Sequence, residues 1–332
     1  MLFFQIKNLK MNTNDTVAVT SRSFSANKHL VEELKSRYKN VTLNDTGKTL
    51  SGTNLLDFLR HKNKVIVGLE NFDEDLINQL PELNVISKFG VGLNNIDLHA
   101  MKKHSVFLGF KAGTNKQSVA ELALFHMLTS LRKVSSSKEN IINGEWSQQK
   151  GHELFGKTVG IIGFGNIGQK LAEFLESFEC KIIFYDNIIL SEEDLLLKFP
   201  SKSSSFIKNL HQKDLNSLLE DSDIISIHIP LLDETTNLIS TDELNLVKKD
   251  IRIINTSRGG IVDEIALFQF LKNNPQAFAS FDVFKNEPAF KNPLLYLKNF
   301  YATSHLGSMT VEGVISMGLA SIDGLDENKI PF

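Results

Sequence analysis

The sequence of 332 residues contains one cysteine, Cys180, and carries little net charge. A single cysteine excludes an internal disulfide and any metal site built from several cysteines, so we expect no metal and a reducing, cytoplasmic environment. The formal net charge of −3 offers no basic field for a nucleic-acid backbone. No apolar run approaches the ~20 residues that span a bilayer. Neither nucleic acid nor a membrane is therefore an expected partner.

Length and composition predict a globular protein with more than one core. A chain of 332 residues is too long for one ordinary core, and its apolar (42%) and charged (23%) fractions exclude wholesale disorder. The opening "MLFFQIKNLK" has too short an apolar run for a signal peptide, and no small-residue cleavage site follows it. Met11 is a candidate alternative start, and residues 1–10 are interpreted as a frayed extension.

Short β-rich runs alternate with amphipathic stretches of helical length, which is typical of a parallel α/β fold. The region 115–134 predicts one long helix, because apolar residues recur at four-residue steps. These residues are Val119, Ala123, Met127 and Leu131. The segment "SMTVEGVISMGLASIDGL" predicts a last helix that packs back on the first third of the chain. "SKSSSF" (201–206) is interpreted as a polar loop.

The segment "KTVGIIGFGNIGQKLAEFLESFECKIIFYD" reads as strand, glycine-rich turn, helix, strand and acid. Gly163, Gly165 and Gly168 form a GxGxxG pattern, which is a weak signal alone but is typical of dinucleotide binding in this context. Gly163 would make the tight turn, Gly165 would let the pyrophosphate approach, and Gly168 would allow close helix packing. Asp186 would bind the ribose hydroxyls and repel a 2′-phosphate, which favours NAD over NADP.

Polar residues follow the ends of several predicted strands. His228 and Pro230 follow "DIISI", 255–258 follow "IRII", 282–287 follow "AFASF", and His305 follows "YATS". Because carboxyl ends of parallel strands meet at one edge, these residues are expected to lie together. Arg258, Glu287 and His305 would each be unremarkable alone. Together they supply a cation, an acid and a proton carrier, which is what hydride transfer on a 2-hydroxy acid requires.

The blocks "GFGNIG", "NTSRGGIVDE", "SFDVFKNEP" and "SHLGS", in that order, resemble the D-isomer-specific 2-hydroxyacid dehydrogenase family. The likeness covers nearly the whole chain, since residues 87–97, 114–124 and 151–163 also match that family's blocks. It implies that His305 donates a proton in the reducing direction and that Glu287 orients it and supports its charge. Arg258 would bind the substrate carboxylate and polarise the carbonyl, and glycines 259 and 260 would clear space beside the ligand.

The resemblance also implies the remaining site residues. The residues implied to bind the cofactor are Gly163, Gly165, Asn166, Ile167, Gly168, Asp186, His228, Pro230, Thr256, Ser257, Asp282 and Gly307. The groups implied to bind the substrate are Lys88, the backbone amides of Val91 and Gly92, Arg258 and His305. The implied cofactor is NAD, and the implied substrate is a small 2-hydroxy or 2-oxo acid.

The family's architecture corrects a simple division of the chain into two halves. It implies a Rossmann-type doubly wound parallel sheet in residues 114–305, inserted into a second, flavodoxin-like α/β domain that binds substrate. That second domain would combine residues 1–113 with 306–332, and the cleft would close by hinge motion. The resemblance further implies a homodimer held through the NAD-binding domain, with contributions from residues 115–134 and Trp146.

The substrate stays open at this point. Family members that act on 3-phosphoglycerate often carry an arginine for the phosphate near "VIVGLENF" (65–72), where this chain has Gly68, Leu69 and Glu70. Lys88 is a candidate replacement, so 3-phosphoglycerate stands beside glyoxylate or hydroxypyruvate. An alternative function is NAD(H) sensing, as in corepressors that share this fold and keep the catalytic set. A formate dehydrogenase is disfavoured, because those relatives use a glutamine where Glu287 stands.

Overall fold

The computed structural model describes residues 11–331, so the interpretation of residues 1–10 as an extension falls outside the described residues. The chain divides into two compact units. Unit 1 runs up to Asn115 and resumes at Val311, and unit 2 comprises Lys116–Thr310. None of the helices within residues 11–331 combines the length and the apolarity needed to cross a bilayer.

Strands and helices alternate along most of the described chain. The strands are β1 (Asn12–Val19), β2 (Tyr38–Leu43), β3 (Lys64–Val67), β4 (Val85–Lys88), β5 (Phe107–Gly109), β6 (Thr158–Ile162), β7 (Lys181–Tyr185), β8 (Leu210–Gln212), β9 (Ile224–Ile227), β10 (Arg252–Asn255), β11 (Phe278–Phe281) and β12 (Phe300–Ala302). The helices are α1 (Arg22–Ser25), α2 (Lys28–Arg37), α3 (Gly52–Leu59), α4 (Glu74–Asn78), α5 (Leu98–Lys103), α6 (Lys116–Arg132), α7 (Val134–Ile142), α8 (Asn166–Leu175), α9 (Glu192–Lys198), α10 (Ser204–Lys208), α11 (Leu215–Asp221), α12 (Thr241–Leu246), α13 (Glu264–Asn273) and α14 (Val311–Asp323).

Unit 1 contains a five-stranded parallel sheet in the order β2-β1-β3-β4-β5, which is the flavodoxin-type order. The C-terminal helix α14 belongs to this unit, as predicted. Ile322 shares one apolar cluster with Val17 and Phe24. Gly318 lets α14 approach α2, since a Cβ there would lie 2.3 Å from Cδ1 of Leu30.

Unit 2 contains a seven-stranded parallel sheet in the order β12-β11-β10-β9-β6-β7-β8, the doubly wound nucleotide-binding order extended by one strand. Neighbouring residues of its strands enter different apolar clusters. Ile161 and Ile162 of β6 do so, as do Ile224 and Ile225 of β9. Successive side chains of a strand point to opposite faces, so both faces of the sheet are covered. The predicted α/β class with Rossmann-type and flavodoxin-like sheets is confirmed.

Two local predictions need correction. The helix predicted over 115–134 ends at Arg132, because Lys133 adopts a left-handed φ of 52° and a separate helix, α7, follows. The apolar stripe of α6 is buried as predicted. The interpretation of 201–206 as a loop is wrong. The Ser203 side chain caps α10, which buries Phe206 and Ile207 where the sequence shows mainly serines.

Candidate active site

One register row crosses five neighbouring strands of unit 2 and sets the position of the site. Its members are Ile162, Ile227, Asn255, Phe281 and Ala302, on β6, β9, β10, β11 and β12 in turn. The residue that follows each of them leaves the sheet at the same edge. Those next residues are Gly163, His228, Thr256, Asp282 and Thr303.

The three glycines after β6 have different structural reasons. Gly163 has a φ of 92°, and a Cβ there would lie 2.6 Å from the His228 carbonyl oxygen. A Cβ on Gly168 would lie 2.3 Å from the Gly163 carbonyl oxygen, so this glycine permits the packing of α8 on β6. Gly165 precedes α8, and a Cβ there would meet nothing within 4 Å. Protein packing therefore accounts for Gly163 and Gly168, whereas the backbone at Gly165 is open to a ligand.

Asp186 lies beside this turn. Its Oδ2 accepts a hydrogen bond from the Phe164 amide (2.8 Å), and its Oδ1 accepts one from the Ile188 amide (3.1 Å). A carboxylate has about four acceptor positions, so capacity remains for ribose hydroxyls. Asn166 and Ile167 form the first turn of α8, where unpaired amides and the helix dipole favour a phosphate. These residues fit a dinucleotide.

Two buried polar atoms at the same edge have no hydrogen-bond partner among the described residues: Nδ1 of His228 and Oγ1 of Thr256. The His228 ring is fixed through Nε2, which lies 2.8 Å from the Ser226 hydroxyl. Burial lowers the pKa of His228 to about 3, so the ring is neutral at neutral pH. Buried polar atoms are almost always paired, and these two are therefore candidate contacts for a bound cofactor.

Asn255 shapes the loop that carries Arg258, although sequence reasoning did not assign it a role. Its Oδ1 accepts from the amide (3.0 Å) and hydroxyl (2.7 Å) of Ser257, and its Nδ2 donates to the Arg258 carbonyl oxygen (2.9 Å). The hydroxyl of Ser257 is thus used within the protein. Gly259 was expected to leave space for a ligand, but it leaves space for the protein itself. A Cβ there would lie 1.9 Å from the Phe284 carbonyl carbon. Gly259 instead lets the loop pack on the segment that leads to Glu287.

The three predicted catalytic side chains lie together in unit 2. Nδ1 of His305 is 2.8 Å from Oε2 of Glu287, and Oε1 of Glu287 accepts from the Phe284 amide (3.0 Å). Burial lowers the pKa of Arg258, and the Glu287 carboxylate acts in the opposite direction. Glu287 therefore interacts with both other members. Since Nδ1 of His305 faces Glu287, the opposite ring nitrogen, Nε2, is the one that can reach a ligand.

Asp282 holds the segment that contains His305. Its carboxylate is almost fully buried and accepts from the Thr303 hydroxyl (2.5 Å) and from the amides of Leu306 (2.7 Å) and Gly307 (2.8 Å). Its backbone carbonyl accepts from the His305 amide (2.9 Å). His305 adopts a left-handed φ of 57° within this clamp. Both Asp282 and Gly307, predicted as cofactor contacts, thus have a structural role inside the protein.

The remaining predicted residues are Pro230 in unit 2 and residues 88, 91 and 92 in unit 1. Pro230 is exposed, and its carbonyl oxygen accepts from the Thr235 hydroxyl (2.7 Å). Lys88 ends β4 of unit 1 and is 7% exposed, and its Nζ donates to the Gly68 carbonyl oxygen (2.5 Å) and to Oδ1 of Asn95 (2.6 Å). Residues 91 and 92 are partly exposed in the loop after β4. Among residues 11–331, no group of three His, Cys, Asp or Glu side chains is arranged to hold a metal.

His126 is a buried residue near the site that sequence reasoning missed. It lies on α6, with Nδ1 against the Ser280 hydroxyl and Nε2 3.1 Å from the Thr303 hydroxyl. Burial lowers its pKa to about 4, and the Asp282 carboxylate acts in the opposite direction. In the sequence His126 is one of several polar residues of α6, and no motif or spacing marks it as part of the site.

We expect the free energy of unfolding to decrease as the pH falls from about 6.5 towards about 4. The folded protein keeps His126 and His228 neutral, with pKa values of about 4 and about 3. Unfolded histidines titrate near pH ~6.5, so in this window the unfolded chain binds protons that the folded chain does not. For His126 the full difference corresponds to about 3 kcal/mol. Urea unfolding between pH 4 and 7 measures the slope.

His126→Gln should flatten this pH dependence, because it removes one of the two titrating groups. His211→Gln is the matched control, since His211 is an exposed histidine of the same unit. If the free energy of unfolding of His126→Gln depended on pH as steeply as that of the wild type, the low pKa assigned to His126 would be contradicted.

Comparison with known proteins identifies the family of the chain. Residues 124–307 match the family model described as the NAD-binding domain of D-isomer specific 2-hydroxyacid dehydrogenases. The chain is 34% identical over 290 residues to the glyoxylate reductase of Thermococcus litoralis, covering 83% of this chain and 84% of that protein. It is 35% identical over 246 residues to the D-3-phosphoglycerate dehydrogenase of Methanocaldococcus jannaschii, covering 74% of this chain but 45% of that longer protein.

A solved structure shows the same fold. A glyoxylate reductase from Paecilomyes thermophila superposes with a TM-score of 0.81 at 24% identity, covering 95% of this chain and 96% of that one. The predictions of family, of fold and of NAD as the cofactor are confirmed. The chain belongs to the D-isomer specific 2-hydroxyacid dehydrogenase family, a family of NAD-dependent oxidoreductases.

Proposed function

We propose that this protein interconverts a D-2-hydroxy acid and its 2-oxoacid, with His305 as the proton carrier. The observation that carries the proposal is that Glu287 interacts with both His305 and Arg258. Its carboxylate lies 2.8 Å from Nδ1 of His305, and its charge partly opposes the lowering of the Arg258 pKa by burial. Glu287 thus interacts both with the proposed proton carrier, His305, and with the buried cation, Arg258.

Each of the three residues has a separate chemical task. Bound NADH supplies the hydride to the substrate carbonyl carbon, and the chain must supply the proton and stabilise the developing charge. His305 would donate the proton from Nε2 to the carbonyl oxygen, while Glu287 would hold the ring in place through Nδ1. Arg258 would bind the substrate carboxylate, which offsets the cost of burying a guanidinium group.

The cofactor would be held along the edge of the unit 2 sheet. The open backbone at Gly165 and the first turn of α8 would take the pyrophosphate. Asp186, anchored by the Phe164 amide, would take the adenosine ribose and disfavour a 2′-phosphate. Nδ1 of His228 and Oγ1 of Thr256 would gain partners from the bound cofactor. The amides of Val91 and Gly92 stay as predicted donors to the substrate carboxylate.

We further propose a small unphosphorylated 2-oxoacid, such as glyoxylate or hydroxypyruvate, over a phosphorylated one. A phosphate favours a cluster of arginine or lysine donors. In the 68–70 loop, Leu69 is 75% exposed, and the buried Glu70 accepts from the Thr20 hydroxyl (2.8 Å) and the Gly68 amide (3.0 Å). The ammonium of Lys88 already binds two protein oxygens. The family resemblance places a phosphate-binding arginine in this loop, and the exposed side chain found there is the apolar one of Leu69.

Purified protein should oxidise NADH with glyoxylate or hydroxypyruvate and should have a lower kcat/KM for 3-phosphohydroxypyruvate. His305→Ala and Arg258→Ala should each lower kcat/KM by roughly 100-fold or more, because each removes a group that acts on the substrate. Steady-state rates are measured by the loss of NADH absorbance with a panel of 2-oxoacids. NADH binding is measured by fluorescence.

Both variants should keep an NADH dissociation constant within about threefold of the wild type, which separates loss of chemistry from loss of cofactor binding. Lys291→Ala is a control substitution, because Lys291 is exposed in the loop after Glu287 and has no assigned task. NADH binding without turnover on any 2-oxoacid would reject the enzymatic proposal and favour NAD(H) sensing.

Gly165→Ala should weaken NADH binding without unfolding the protein. A Cβ at Gly165 meets no protein atom within 4 Å and would project into the space assigned to the pyrophosphate. Gly168→Ala is the matched comparison, since its Cβ would lie 2.3 Å from a backbone oxygen and should lower thermal stability. Thermal melting and NADH titration distinguish the two effects. An NADH affinity unchanged by Gly165→Ala would contradict the pyrophosphate assignment.

We also propose that two copies of the chain associate through unit 2. Helix α7 has no buried residue, and large apolar side chains in and after it are exposed. These are Val134 (54%), Ile141 (56%), Ile142 (72%), Trp146 (83%) and Phe155 (58%). Val134, Ile141 and Ile142 line one surface pocket, and an exposed apolar patch on a globular protein is typical of a protein interface. A second copy is the favoured occupant, because the family resemblance places the dimer contact in this region.

Ile142→Asp should convert the dimer to a monomer, because it buries an unpaired charge in the proposed interface. Size-exclusion chromatography with light scattering measures the mass in solution. Leu197→Asp is the matched control, since Leu197 is 80% exposed on α9 of the same unit. A wild-type protein that is monomeric at micromolar concentration would overturn the proposal.

A further inference from the structure

A directed chain of hydrogen bonds leads from α6 to the clamp around His305. Thr303 donates its hydroxyl proton to Oδ1 of Asp282 (2.5 Å), because the carboxylate can only accept. The Thr303 oxygen therefore accepts from Nε2 of His126, 3.1 Å away. Nε2 then carries the ring proton, so Nδ1 accepts from the Ser280 hydroxyl. The chain runs Ser280 to His126 to Thr303 to Asp282, with every donor directed towards the carboxylate.

The far end of this chain holds the backbone on which His305 lies. Asp282 receives the amides of His305, Leu306 and Gly307, the first through its carbonyl oxygen and the other two through its carboxylate. Three consecutive amides are thus fixed by one residue. Thr303 lies two residues before His305. Its hydroxyl and the Leu306 amide both donate to Oδ1 of Asp282. Thr303 and the backbone that follows His305 are therefore held by the same carboxylate oxygen.

The near end is fixed by packing. The His126 ring is fully buried and makes edge contacts with the rings of Phe125 (centroids 5.7 Å apart) and Tyr301 (5.8 Å). Its low pKa keeps it neutral, so it can both donate and accept in the order required. A buried site that needed only filling would be served by an apolar side chain, without the desolvation of a polar ring. The polar chain therefore has a reason beyond packing.

We propose that His126 and Thr303 are positioning residues for the reaction proposed above: they fix Asp282, and through it they hold His305 against Glu287. The inference rests on the proposed function only for its kinetic consequence. Its structural consequence, a rigid 305–307 segment, holds whether or not the substrate has been assigned correctly.

The test compares substitutions that differ only in the hydrogen bond. Thr303→Val removes the hydroxyl and keeps the shape, whereas Thr303→Ser keeps the hydroxyl. His126→Leu removes both ring nitrogens, whereas His126→Gln retains a donor that can reach Thr303. We expect Thr303→Val and His126→Leu to lower kcat about tenfold with little change in the KM for NADH. Thr303→Ser and His126→Gln should recover most of that loss.

The double variant Thr303→Val/His126→Leu should be no slower than the slower single variant, since both residues act through one carboxylate. A purely structural role would give additive losses of melting temperature and leave kcat unchanged well below the melting transition. Equal kcat losses in Thr303→Val and Thr303→Ser, or wild-type kcat in Thr303→Val, would overturn the proposal.

Hydrogen exchange measured by mass spectrometry supplies a readout that needs no substrate. The amides of residues 305–307 should exchange faster in Thr303→Val than in the wild type, and at the wild-type rate in Thr303→Ser. Faster exchange in a protein that turns over no 2-oxoacid would reject the proposed function and support the positioning role. Turnover by the wild type, with exchange unchanged in Thr303→Val, would reject the positioning role and leave the proposed function standing.

Discussion

The parallel hydrogen bonding of the unit 2 sheet is the constraint on which the site depends. Parallel strands enter and leave a sheet at the same edges, so five strands in one register end together. The row from Ile162 to Ala302 brings residues from five separate parts of the chain to one edge. The turn after β6 lies next to the end of β9, where the strand order reverses, and this is where nucleotide ligands bind in such sheets.

Backbone groups, more than opposite charges, hold the charged side chains of this site. The carboxylate of Asp282 accepts from one hydroxyl and two amides, and that of Asp186 accepts from two amides. Arg258 donates to the Ser257 carbonyl oxygen (2.6 Å). Hydrogen bonds of this kind fix a charge in place without neutralising it. In the proposed function, the guanidinium group of Arg258 keeps its charge for the carboxylate of the substrate.

Much of the fold and part of the site followed from local patterns. The GxGxxG turn, the long stripe of α6 and the last helix were predicted because each depends on neighbours close in sequence. The sequence reasoning missed β2 and α3, which lie in a region of mixed polarity, and misread α10. Those short elements form because tertiary packing buries a few apolar residues, such as Leu55 and Leu59 of α3.

The sequence by itself determined the family, the α/β class and the identities of the three catalytic candidates, because motif spacing and hydrophobic periodicity are local properties. Only the tertiary structure decided which polar atoms pair. It assigned Gly259 to packing against Phe284 and committed the Lys88 ammonium to two protein oxygens. It also joined His126 to Thr303, 177 residues further along the chain. Contacts between residues so distant in sequence depend on the folded chain as a whole, and no local pattern encodes them.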